Sequence, residues 1–159
     1  MPNWCSNQLT VTGATPELSA YLKVHGFSFE KIKPTAKPTA SSEAVEDIQH
    51  QIAAWGTKWD LDENDQRRVA DELLEMGNAY FDTAWSPPIE ALEALSGKFP
   101  HDSFGLTYCE PGMSFAGTTT FEGGMSDDVP AEDHEVMRIA CEVFGYDDPA
   151  EESEEPAAP

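Results

Sequence analysis

Three stretches of apolar–polar alternation constrain this chain more than any other feature it has. Leu9 and Val11 alternate with Gln8, Thr10 and Thr12; Phe81, Thr83 and Trp85 alternate with Tyr80, Asp82 and Ala84; and Phe104, Leu106 and Tyr108 repeat the pattern after Pro100. A period of two sends successive side chains to opposite faces, so each stretch predicts a strand buried on one side. Several such strands require helices laid over the apolar face to dry it.

The intervening segments supply candidates. After Gly13, Thr15 is placed to cap a helix that begins with Pro16 and Glu17, carries Leu18, Tyr21 and Leu22 on one stripe, and stops at Gly26. Phe27 to Lys33 is expected to be a second strand. Lys33 to Thr39 contains two prolines and no apolar period, which predicts a loop. Val45, Ile48 and Ile52 then recur at helical spacing from about Ser42 to Ala54, and Val69, Leu73 and Met76 do so from about Asn64 to Gly77. Pro87 and Pro88 end the next strand and open a helix with Ile89, Leu92, Leu95 and Phe99. Glu110-Pro111-Gly112 predicts a tight turn into a last strand, Ser114 to Phe121. Gly123 and Gly124 are expected to break the sheet, and an acidic loop, Asp127 to Asp133, to lead into a helix with Val136, Ile139, Ala140, Val143 and Phe144.

With residues 35–78 set aside as a helical insertion, the order is strand, helix, strand, strand, helix, strand, then a hairpin strand and a C-terminal helix. That is the plan of an α+β ferredoxin-like sandwich, an antiparallel sheet with helices on one face. Residues 1–146 are expected to form this one domain. Residues 147–159, almost all Asp, Glu, Pro and Ala, are expected to be a disordered acidic tail.

Charge narrows the functional classes. Thirty acids against nine bases give a net charge of -21. Residues 1–99 hold fifteen acids and eight bases, and residues 100–159 hold fifteen acids and only Arg138. Direct contact with nucleic-acid phosphates or anionic lipid is disfavoured, because both need cations. The expected open face of the sheet, with Gln8, Thr10, Thr12, Thr107, Thr118 and Thr120, also lacks the stacking rings of RNA-binding sheets. Cys5, Cys109 and Cys141 are too few and too dispersed for a disulfide framework or a zinc ribbon. With no apolar run near the roughly twenty residues a membrane span needs, a cytoplasmic protein is expected.

Two groups of residues stand out as candidate sites. In the first, three aromatic stretches, Asn3-Trp4-Cys5-Ser6-Asn7, Trp55-Gly56-Thr57-Lys58-Trp59-Asp60 and Phe81-Asp82-Thr83-Ala84-Trp85-Ser86-Pro87-Pro88, would meet as a ligand pocket. Trp55, Trp59 and Trp85 are its walls, and Lys58, Asp60, Thr83 and Glu110 its polar handles. The competing reading makes the indoles core anchors, with Lys58 paired to Asp60 or Glu110 at a structural turn. The second group is acidic: Asp102, Glu122, Asp127, Asp128, Glu132, Asp133, Glu135 and Glu142 would present a nucleic-acid-like array to a basic groove on a partner. Here the competing reading is a solvated, solubilising surface.

Catalytic chemistry is not expected. None of His25, His50, His101 and His134 lies in the aromatic stretches where it could activate Cys5 or Cys109. Asp60-Leu61-Asp62-Glu63-Asn64-Asp65 lacks the glycine of a calcium loop, so neither a metal nor a cofactor is expected.

Asn3-Trp4-Cys5-Ser6-Asn7 with Leu9 and Val11, Trp55 to Asp60, Thr83-Ala84-Trp85-Ser86-Pro87-Pro88, and Tyr108-Cys109-Glu110-Pro111-Gly112 together resemble the YubB-type ferredoxin-like family of bacteriophages and plasmids, over about residues 3–124. The resemblance implies the fold and a mobile-element setting, and it supplies no catalytic residues. Combined with the charge, it leads to the expectation of a non-enzymatic accessory protein of the bacterial cytoplasm. Its acidic surface would bind and inhibit a basic, nucleic-acid-binding host factor such as a defence nuclease. The alternative is a module that binds a small, nucleotide-like ligand in the Trp-rich pocket.

Overall fold

The structure, a computed structural model, describes residues 3–35 and 45–146, with no account of the side chains of residues 45–47. The expected Pro-rich loop beyond Thr35, the start of the helix near Ser42 and the acidic tail lie outside the described residues.

The elements run β1 (Trp4–Thr12), α1 (Pro16–His25), α2 (Phe29–Ile32), α3 (Val45–Trp55), α4 (Glu63–Met76), β2 (Asn78–Ala84), α5 (Ile89–Lys98), β3 (Ser103–Glu110), a 3-10 turn (Pro111–Met113), β4 (Phe115–Glu122), β5 (Met125–Pro130) and α6 (Asp133–Phe144). The strands form one antiparallel sheet in the order β2-β1-β3-β4-β5. The chain is an α+β ferredoxin-like protein, as the alternation predicts.

Register explains which face is buried. Leu9 lies between Ala79 and Leu106, and Val11 pairs with Phe104, which in turn faces Phe121. These residues merge with Leu18 and Leu22 of α1, Val69, Ala70 and Leu73 of α4, and Leu92 and Leu95 of α5 into one core cluster. Burying each such Leu, Val or Phe contributes about 1.5–3 kcal/mol. The segment set aside as an insertion is part of this core, because α4 lies along β2 and α3 delivers the fully buried Trp55 to it.

Among the described residues, the opposite face is covered at one end only. Ser6 pairs with Cys109 and Cys109 with Ala116, so all three share that face. There α6 lays down Val136, Ile139 and Ala140 over Cys109 and Ala116, and the chain just beyond it brings the Tyr146 hydroxyl to 2.8 Å from Ser6 Oγ. The row Gln8, Thr107, Thr118 and the row Thr10, Gly105, Thr120 lie beyond this cap.

Two sequence expectations are corrected. Residues 27–33 are not a strand: Phe29–Ile32 is a short helix with Phe29 and Ile32 buried. A tertiary contact adds to the local cap, in which Ser28 Oγ accepts from Lys31 N at 3.4 Å. The Asp60 carboxylate accepts hydrogen bonds from Ser28 Oγ (2.7 Å), Phe29 N (2.9 Å), Glu30 N (3.2 Å) and Leu61 N (2.8 Å), satisfying the free amides of a helix start from thirty residues away. Gly123 and Gly124 do not end the sheet. With φ of +59° and +87° they form the tight turn of a hairpin, and the expected acidic loop begins as strand β5, antiparallel to β4.

If Asp60 is what converts this stretch to helix, Asp60→Ala should lower stability by about 2–3 kcal/mol in denaturant titration, more than the usual helix cap because several donors lose their acceptor together. A loss below about 0.5 kcal/mol would assign α2 to local sequence instead.

Candidate functional site

The aromatic stretches converge, through some of the expected residues and not others. Gly56, at φ +86°, packs so closely on the start of α5 that an added Cβ would lie 2.9 Å from Pro87 O and 3.0 Å from Ile89 N and collide with Glu90 Oε2. This contact turns the chain after α3. Thr57 Oγ1 and the Lys58 amide then donate to Ala84 O at 2.7 and 3.3 Å, Ser86 Oγ donates to Gly56 O, and the Trp85 amide donates to Asn3 O at 2.8 Å. Three distant segments are thus tied at the end of the sheet.

What they build is a cation held between indoles. The Lys58 ammonium lies 4.2 Å from the Trp59 ring centroid and 4.4 Å from that of Trp85, and Trp4 stands against Trp59 at 6.4 Å. Despite thirty acids in the chain, no carboxylate among the described residues lies within 4.0 Å of this ammonium. Trp85 leaves the strand at φ +76°, a strained conformation for a bulky residue, and is 43% exposed; Trp4 is 48% exposed. The Trp59 Nε1 is buried without an acceptor among the described residues.

The remaining expected pocket residues do structural work. Trp55, 1% exposed, is a core anchor against Phe29 whose Nε1 donates to Lys33 O at 2.9 Å. Asp60 caps α2. Thr83 is buried, accepting from Asn7 Nδ2 (2.9 Å) and donating to Ser86 O (2.7 Å). Glu110 is buried and accepts from the amides of Gly112 and Met113, capping the 3-10 turn. Lys58 therefore pairs with neither Asp60 nor Glu110. Trp85 does not share the face of Phe81 and Thr83, since the strand has already ended at Ala84. Trp4, not expected as a wall, belongs to the cluster: its signal was the Asn3–Asn7 aromatic stretch, and pairing with Ala84, one residue before Trp85, brings it there.

The acids divide similarly. Asp102, 1% exposed, accepts from Thr15 N (2.8 Å) and Thr15 Oγ1 (2.7 Å), fastening the start of α1 to the entrance of β3, so it leaves the surface group. Glu122, Asp127, Asp128, Glu132, Asp133 and Glu142 are exposed, and Glu135 is half-buried. Arg138 lies 3.0 Å from Glu135 and 3.2 Å from Glu142, and its hydrogen bond holds the Glu135 carboxyl below the usual range. Asp127 and Asp128 are consecutive strand residues, so they point to opposite faces. Asp128 accepts from Tyr108 Oη and Thr119 Oγ1, each at 2.8 Å, which pins β5 to the sheet; burial and this carboxylate push the Tyr108 hydroxyl up. The strand itself went unforeseen. Its signal was the Gly-Gly pair, masked by an acidic stretch of low strand propensity.

Nucleophilic chemistry finds little support. Cys5 and Cys109 are buried, and burial pushes the Cys5 thiol strongly up and that of Cys109 up to about 11, opposite to what a thiolate nucleophile needs. Asp60 and Asp62, first and third of the calcium-loop-like run, cap α2 and α4.

No helix among the described residues is long and apolar enough to cross a membrane. No curated protein and no solved structure matches the chain. Residues 54–152, more than half of it, match the family described as the ferredoxin-like domain in Api92-like protein. That match starts later than the resemblance over residues 3–124 and continues past it through β5 and α6 to residue 152. On this match and on its five-stranded antiparallel sheet, the chain belongs to the family of the ferredoxin-like domain in Api92-like protein.

Proposed function

We propose that this protein works by binding, and that β5 with α6 presents an anionic surface to a basic groove on a nucleic-acid-binding partner, blocking it. The observation that carries this reading is positional. Residues 100–146 hold nine acids and one Arg or Lys, Arg138; six of those acids are exposed on or beside two consecutive elements, and Arg138 is already engaged by Glu135 and Glu142. Within residues 100–146 no other Lys or Arg competes with a partner. Like-signed fields of this kind steer an oppositely charged protein and weaken with salt. The YubB-type kinship, a phage or plasmid setting and a cytoplasmic anti-defence role belong to the same proposal, a partner of that kind being what such a charge pattern would oppose.

Reversing Asp127, Glu132 and Asp133 to Lys, which spares the Asp128 bonds to Tyr108 and Thr119, should abolish capture of a basic DNA- or RNA-binding protein from host lysate. The wild-type capture should be lost at high salt and displaced by added duplex DNA. Capture that survives both charge reversal and salt would overturn the reading.

A second reading, a small-ligand site at the indoles, is favoured by one observation: the strained, exposed Trp85 beside a Lys58 that has no carboxylate partner among the described residues. Strain of about 1–3 kcal/mol at an exposed aromatic is a feature of ligand-holding loops. A nucleotide at about 100 times its dissociation constant should then stabilise the protein by roughly 2.7 kcal/mol in a thermal shift, and Lys58→Ala with Trp85→Ala should erase the shift. A flat response across nucleotides would remove this reading.

A further inference from the structure

The two edges of the sheet are treated differently. At the β2 edge, Arg68 of α4 donates to Tyr80 O at 2.9 Å while held by Asp65 and Glu72, so this part of the edge is occupied. At the other edge all six residues of β5 are exposed, Met125 at 75% and Val129 at 58% among them.

The hairpin dictates which backbone groups are free. Positive φ at both Gly123 and Gly124 is the signature of a type I′ turn, whose flanking residues, here Glu122 and Met125, form a hydrogen-bonded pair. Pairing alternates along an antiparallel ladder, so Met125, Asp127 and Val129 bond inward to β4. The N–H and C=O groups of Ser126 and Asp128 point away from the sheet, and Pro130, without an N–H, bounds the free stretch.

Side chains select the occupant. Met125, Asp127 and Val129 share the open face with Thr118 and Thr120, while Ser126 and Asp128 lie on the other. The edge carries two carboxylates and a closing proline, which oppose pairing with a like strand, and beside them two bare apolar side chains, Met125 and Val129, left for a partner of opposite charge to cover. A second copy of the chain is a poor fit, because antiparallel β5–β5 pairing would bring four carboxylates together. An incoming strand with cations facing Asp127 and Asp128 and apolar residues facing Met125 and Val129 satisfies every group.

We propose that the β5 edge receives an extended cationic segment of the partner as an added strand, held through the outward backbone groups of Ser126 and Asp128. This rests on the acidic-surface reading above and names how the partner is held.

The test uses the full chain and a short synthetic peptide of Lys, Val and Thr, made unmodified and with N-methyl groups on either alternate set of backbone nitrogens. Strand addition predicts that the unmodified peptide binds in calorimetry. One methylated set should lose at least about tenfold in affinity, as expected when more than one backbone hydrogen bond is lost, while the other set stays within about twofold. Asp127→Lys, whose side chain makes none of the Asp128 contacts, should weaken all forms. Equal binding of both methylated sets, still weakened by Asp127→Lys, would overturn strand addition and leave the acidic surface standing. Binding indifferent to Asp127→Lys, or no binding of any peptide, would overturn the proposal, as would sedimentation of the wild type as a dimer that Asp127→Lys dissociates.

Discussion

Burial of one face of β1 between two partners is the constraint from which the architecture follows. Leu9 and Val11 are central, with β2 on one side and β3 on the other, so their alternation sets the register of three strands at once. A slip of one residue would turn Thr10 and Thr12 inward and Leu9 and Val11 to water, which strongly specifies the pairing. The helices α1, α4 and α5 then have one apolar surface to cover, and the chain between β1 and β2 is long because it must supply two of them.

Carboxylates, abundant as they are, serve two purposes that differ by location. Asp60, Asp102 and Glu110 sit inside or at the rim of the core and accept from backbone amides and hydroxyls, closing α2, the start of α1 and the 3-10 turn. Each joins segments distant in sequence or seals a turn that would otherwise leave donors bare. The exposed acids make few such bonds, with Asp128 standing between the two groups: exposed, yet accepting from Tyr108 and Thr119. Net charge therefore overstates the anionic surface, and the outward charge is concentrated where the chain has fewest bases.

Much of this was legible beforehand because it is local. Period-two alternation located β1, β2 and β3, helical spacing located α1, α4, α5 and α6, and Thr15, Gly26 and Gly77 marked the expected ends. Non-local contacts were not legible: Asp60 reaches the start of α2 from thirty residues away and adds to its Ser28 cap, and Phe27 to Lys33 taken alone has the composition of a strand. The candidate site was legible as a meeting of aromatic stretches but not in its parts. Whether Trp55 or Trp4 faces solvent depends on the turn at Gly56 and on a cross-strand pair, neither of which is written in the spacing of the indoles. β5 was concealed because its side chains are chosen for water and for an outer edge, not for a core.

The central position of β1 also bears on what the matched family unit can be. The family match begins at residue 54, after β1 and α1, yet β2 joins the sheet only through β1, while β3 pairs with both β1 and β4. A polypeptide limited to the matched portion would hold β2 on one side of an open slot and β3-β4-β5 on the other, the slot bordered by Ala79 and Phe81 across from Leu106 and Phe104. The amino-terminal portion is thus the keystone of the matched one, and supplying it as a separate molecule should rebuild the sheet, making this a protein divisible into two complementing pieces.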